Sequence, residues 1–181
     1  DCPENLEFVS AAAQFKITLS AMIGTLSHDL ATSLADQGIS ISQALVKKHS
    51  DKPEFAKPAY DGMVRKARWS LENGKLSEAV DNATRASKLY HQFFQPIESQ
   101  EWVYDETVKL LVLQLELLIA EENYAAALAS CKENKKRVQL AKRFPSRRVA
   151  CQTHESYLGF RHYFLAKMLG MQDEMASAEL S

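Results

Sequence analysis

Apolar residues recur along this chain at steps of three and four, the interval that sets side chains on one face of an α-helix. Leu19, Met22, Ile23, Leu26, Leu30 and Leu34 follow it and predict a first helix from about Asn5 to Leu34, closed by Gly38. A shorter segment from Ile39 to Lys48 carries Ile41, Leu45 and Val46, and Ser50-Asp51-Lys52-Pro53 then reads as a polar loop in which proline blocks continuation. The alternation Ile39-Ser40-Ile41-Ser42 is too brief and isolated to build a sheet. Pro58 opens the next helix, which runs to Asn73 through Met63, Ala67 and Leu71. Its partner spans Leu76 to Phe94, with Ser77 as N-cap and Pro96 as stop. The leucine-rich segment from Gln100 to Glu121 is apolar on more than one side, which calls for burial between neighbours. It pairs with Tyr124 to about Arg143, and a last hairpin starts near Arg148, turns at Gly170 and offers Tyr157, Phe160, Phe164 and Leu165 to a core. The expected fold is all-α, built from antiparallel helical hairpins.

The joints of these hairpins repeat. Gly74-Lys75-Leu76-Ser77-Glu78-Ala79-Val80 returns as Glu122-Asn123-Tyr124-Ala125-Ala126-Ala127-Leu128, and more faintly as Gly170-Met171-Gln172-Asp173-Glu174-Met175-Ala176. In the first copy Gly74 closes one helix, Leu76 follows two places on, and Ala79 three places later lets the next helix pack closely; the second keeps Tyr124 and Ala127 but has Glu122 where the small residue belongs. Ala86 extends the pattern in the first copy, where the second has Asn134. From about Ala59 to Ser181 the chain thus resembles tetratricopeptide repeats. The copies lie about 48 residues apart rather than about 34, so the resemblance is to long-period variants such as those of bacterial regulators or proteasome-lid-type subunits. It implies a stacked array over residues 58–181, preceded by a helical segment over 1–57 that caps the stack or dimerises. It also implies a surface that holds a protein or peptide rather than one that transforms a substrate.

Composition narrows the partner classes. The 181 residues are 46% hydrophobic and 25% charged with a formal net charge of -1, an ordinary folding composition with no global attraction to nucleic acid or membrane. The richest apolar stretch, Phe8 to Ile23, is broken by Gln14 and Lys16, so no membrane span is expected. Three widely spaced cysteines, Cys2, Cys131 and Cys151, are not a disulfide framework and fit a reducing, cytoplasmic setting. The start at Asp1 fits a cut fragment or a processed form.

Candidate chemistry is sparse. Thr25-Leu26-Ser27-His28-Asp29-Leu30 resembles the phosphoacceptor box of sensor histidine kinases, in which His28 would take a phosphoryl group with Asp29 as neighbouring base, but the usual proline a few residues on is replaced by Ala31-Thr32-Ser33-Leu34. Cys151, His154, Glu155 and His162 share one side of a helix without the spacing of a zinc site, so no metal or cofactor is expected. The densest charge run extends over 132–148. Its Lys132, Lys135, Lys136, Lys142 and Arg143 fall within roughly one third of the helical circumference at about 100° per residue. That stripe suits an acidic peptide or a phosphate backbone, while Trp69 and Trp102 are candidate peptide anchors. The leading expectation is a non-enzymatic interaction or regulatory module that binds a partner peptide or helix, with homodimerisation through the N-terminal helix. Phosphotransfer through His28 and nucleic-acid binding through the basic stripe are the alternatives.

Overall fold

Six α-helices, linked by short turns, make up the described part of the chain, and no strand occurs among the described residues. The computed structural model describes residues 3–24, 26–98 and 100–140, together with 159, 161, 166 and 169–171. The chain divides into two units, Asp1–Glu98 and Ser99–Ser181. The first holds α1 (Pro3–Ile23), α2 (His28–Lys48), α3 (Lys57–Glu72) and α4 (Leu76–Leu89); the second holds α5 (Tyr104–Ala120) and α6 (Tyr124–Leu140). Residues 1–57 therefore pack in the same unit as α3 and α4, with α1 against both α2 and α3.

The expected single helix from Asn5 to Leu34 is two helices. The chain turns after Ile23, whose carbonyl accepts from both Leu26 N and Ser27 N, and Ser27 caps α2 by accepting from Leu30 N. Gly38 does not close a helix but lies buried within α2. There it admits α1: a Cβ on Gly38 would stand 2.8 Å from Ile17 Cδ1 and 2.9 Å from the Ala13 carbonyl oxygen, and one on Gly62 of α3 would meet Ile17 Cδ1 at 2.7 Å. The small residues Ala13 and Ser20 of α1 and Ala31 and Ala35 of α2 are also fully buried, which suits close approach, and Ile17 fills the space between three helices. Much of the leucine and methionine stripe read from the sequence is exposed: Met22 is 71% exposed, Leu26 84% and Leu30 53%. By length and composition alone Asn5–Ile23 is apolar enough to cross a membrane, and 17% of that window is buried.

A single hydroxyl joins α2 to the next element. Ser42 Oγ donates to the Phe55 carbonyl at 2.6 Å and accepts from Ala59 N at 3.0 Å, satisfying one of the free amides of the first turn of α3. Pro58 sits in that turn as expected. Ser77 does not cap α4, which starts at Leu76 as expected but with Lys75, two residues before Ser77, at the cap position and no side-chain cap. Beyond Leu89 the backbone widens into a π-turn, Tyr90–Phe94, then tightens into a 3-10 turn containing Pro96. An unbroken α-ladder would press the Pro96 ring on the carbonyl of Gln92, and widening avoids that clash while Phe93 stays buried and Tyr90 and Phe94 pack against Tyr60.

The three repeated joints share one backbone geometry. Gly74, Glu122 and Gly170 have φ of 70°, 57° and 67°, and the next amide in each returns to the carbonyl five residues back: Lys75 to Ser70, Asn123 to Leu118, Met171 to Ala166. At Gly74 and Glu122 this left-handed closure stops one helix and reverses the chain into the next. Ala79 and Ala127, the small positions after the turns, are fully buried, as is Ala86. Asn134 is also buried and donates to the Leu111 carbonyl on α5, so a polar side chain takes the place of a close-packing alanine by bonding across the helix pair. Tyr104, Val108, Leu115, Ala127, Leu128 and Cys131 form the core of the second unit. The core candidates Tyr157, Phe160, Phe164 and Leu165 lie outside the described residues.

Candidate functional site

In the first unit, α2 and α4 rise on either side of α3 and enclose a groove of about 1200 Å³. Each wall is a polar stripe at helical spacing: His28, Asp29, Thr32, Ser33, Asp36 and Ser40 on α2, and Glu78, Asp81, Asn82 and Arg85 on α4. The floor comes from Lys66, Trp69 and Ser70 of α3. Most wall residues are exposed, so the groove is open to solvent along its length.

Trp69 is its one large aromatic. The half-buried indole stands edge-on to the His28 ring at 5.8 Å between centroids, and a Cβ on Gly24 would touch Trp69 Cζ2 at 3.1 Å. The turn after α1 and the first residue of α2 therefore hold the indole in place. Lys66 is fixed across the groove to Asp36 at 2.6 Å, and Lys75 reaches Glu78 at 3.4 Å. Asp29, Asp81 and Arg85 line the groove and make no ion pair among the described residues.

Among the described residues outside the groove, two groups depart from their ordinary titration. Burial lowers the pKa of Arg65, with Asp61 opposing the shift and Arg68 adding to it. Burial raises the Cys131 thiol to about 12 against the opposing field of Arg161, so this cysteine stays a protonated core side chain.

Trp69, expected as a peptide anchor, and His28, the candidate phosphoacceptor, come together in this groove. His28 lies at the start of α2 rather than midway along a long continuous helix. Trp102 belongs to the second unit, where its Nε1 donates to Gln100 Oε1 at 2.7 Å. Lys132 is exposed on α6; Lys135 and Lys136 continue that helix, though their side chains are outside the described residues, as are Lys142 and Arg143. Cys151, His154, Glu155 and His162 are outside them too. Among the described residues no group of three His, Cys, Asp or Glu side chains stands close enough to hold a metal ion. Sequence reasoning missed Asp36, Lys66, Asp81 and Arg85, although the polar stripes that carry them are visible at steps of three and four. Comparison with protein families, curated proteins and solved structures finds no match for the chain.

Proposed function

We propose that this protein is a non-enzymatic helical scaffold, akin in its turn chemistry to long-period tetratricopeptide arrays, and that its first unit holds a polypeptide segment in the α2–α3–α4 groove. The observation that carries this reading is the open groove with a single half-buried indole at its floor. Its volume of about 1200 Å³ exceeds the roughly 300–1,000 Å³ of enclosed small-molecule sites. Polar groups one helical turn apart on both walls suit the regularly spaced donors and acceptors of a peptide or helix. An indole ringed by polar groups is the usual anchor of such an interface. The occupant that matches it has an apolar side chain for Trp69 and flanking Lys or Arg for Asp29 and Asp81.

Panning a random peptide library against the intact chain tests this directly. Enriched sequences are expected to carry an aromatic or aliphatic residue beside basic ones, and to lose at least tenfold in affinity against both the Trp69→Ala and the Asp81→Lys proteins. Peptides that bind both variants as tightly as the parent chain would remove the groove from the argument.

A further inference from the structure

The face of α1 turned away from α2 and α3 has a regular apolar pattern of its own. Phe8, Ala12, Phe15, Leu19 and Met22 follow steps of four, three, four and three, the seam spacing of a paired helix. Phe8 is 73% exposed, Phe15 66% and Met22 71%, and Leu26, just past the helix, is 84% exposed. Ala13, Ile17 and Ser20, which serve the interior of the unit, lie on the opposite side of the helix. Between Asn5 and Ile23 the charged residues are Glu7 and Lys16, and Lys16 is turned toward Gln37 of α2 at 2.8 Å. The seam is therefore free of charge along its whole length.

We propose that a second copy of this chain covers that seam, with the two α1 helices antiparallel about a two-fold axis. Size supports it. With large side chains burying about 150–250 Å² each, the exposed parts of Phe8, Phe15, Met22 and Leu26 come to on the order of 500 Å² per protomer. That lies in the upper part of the roughly 300–600 Å² range of the largest apolar patch on a monomer, which is often functional, and doubling it reaches roughly the 1,000 Å² at which specific interfaces begin. The order of side chains decides the direction. In the antiparallel register Ala12 lies opposite Met22 of the second copy and Phe15 opposite its Leu19, so small meets large and the layers fill evenly. A parallel pair would set Phe8 and Phe15 each against its own copy and leave a gap at the Ala12 layer. The isologous arrangement also closes on itself, so the assembly stops at two.

Sedimentation equilibrium of the intact chain tests the pairing, and disulfide trapping tests its direction. The parent chain is expected to be a dimer at micromolar concentration, while Phe15→Glu gives a monomer whose circular dichroism and unfolding midpoint are retained, because residue 15 contributes nothing to the interior. In a background with Cys2 and Cys151 changed to Ala, the pair Ala12→Cys plus Met22→Cys is expected to cross-link between protomers. Ala12→Cys alone is not, because in this register the two residues 12 stand about 15 Å apart along the axis. A parent chain that is monomeric at every concentration, or a dimer indifferent to Phe15→Glu, would overturn the proposal. Efficient cross-linking of Ala12→Cys by itself would overturn the antiparallel register. A monomer that sediments with neutral phosphatidylcholine vesicles would assign the seam to a bilayer surface instead, and would overturn the second copy as its occupant.

Discussion

Ile17 shows how much of the first unit depends on two hydrogen atoms. Its side chain fits where three helices meet because residues 38 and 62 have no Cβ, and the two glycines differ in what a methyl group would strike. At Gly62 the obstacles are side chains, Ile17 Cδ1 and Ile39 Cγ1, both at 2.7 Å; at Gly38 one obstacle is the Ala13 carbonyl oxygen at 2.9 Å, which cannot turn aside. Each Gly→Ala change gains about 1 kcal/mol of helix propensity and loses more to overpacking, for a net loss of about 1–2 kcal/mol by urea unfolding. Measured in an Ile17→Val background, which removes Cδ1, the Gly62→Ala loss is expected to shrink while the Gly38→Ala loss largely persists. Equal relief at both sites would contradict the backbone contact. Glu122 offers the opposite experiment. It holds φ of 57° where the other two joints have glycine, so Glu122→Gly is expected to raise the unfolding free energy by about 1 kcal/mol. Gly74→Ala should lower it by a similar amount, and there the loss is purely conformational, because nothing lies within 4 Å of the added Cβ.

At the scale of elements, the helices and their reversals were legible because the punctuation is local: Pro58 at a start, Gly74 and Gly170 at closures, small residues at Ala79, Ala86 and Ala127. The break after Ile23 was misread because apolar residues on both sides of it continue in steps of three and four. That periodicity is real, but on α1 it belongs to a seam facing away from the interior, while the inward face has the single large residue Ile17 among small ones such as Ala13 and Ser20, which give little hydrophobic signal. Gly24 followed by Ser27, a closing residue and then a cap, was the local mark of the turn. Ser42 could not have been read from sequence, since its partners lie 13 and 17 residues away. Its removal is a sharp test of how α2 and α3 are joined. Ser42→Ala leaves the Phe55 carbonyl and the Ala59 amide buried without that hydroxyl, at a cost of about 1–3 kcal/mol. Faster hydrogen exchange at the Ala59 amide should accompany the loss, and unchanged exchange there would show that the amide finds another partner.

For the whole molecule, the same division holds at larger range: each groove wall is visible as a polar stripe on one helix, but which stripes face each other depends on contacts such as Asp36 with Lys66, thirty residues apart. Each unit has its own interior, Ile17, Tyr60, Met63 and Phe94 in the first and Tyr104, Leu115, Ala127 and Cys131 in the second, and each has one tryptophan to report on it. Cys131 gives the second unit a pH dependence the first does not share. Its thiol ionises near 9 when unfolded and only at about 12 in the fold, so the unfolded chain releases a proton that the folded chain keeps. The stabilisation this represents is complete below pH 9 and is lost as pH rises from 9 toward 12, with a limiting slope of about 1.4 kcal/mol per pH unit. In a Trp69→Phe chain, where Trp102 reports the second unit, the urea midpoint is therefore expected to fall between pH 9 and 11, and Cys131→Ala to flatten that fall. In a Trp102→Phe chain, where Trp69 reports the first, Cys131→Ala should leave the profile as it was. An effect of equal size on both reporters would mean that the two units unfold as one.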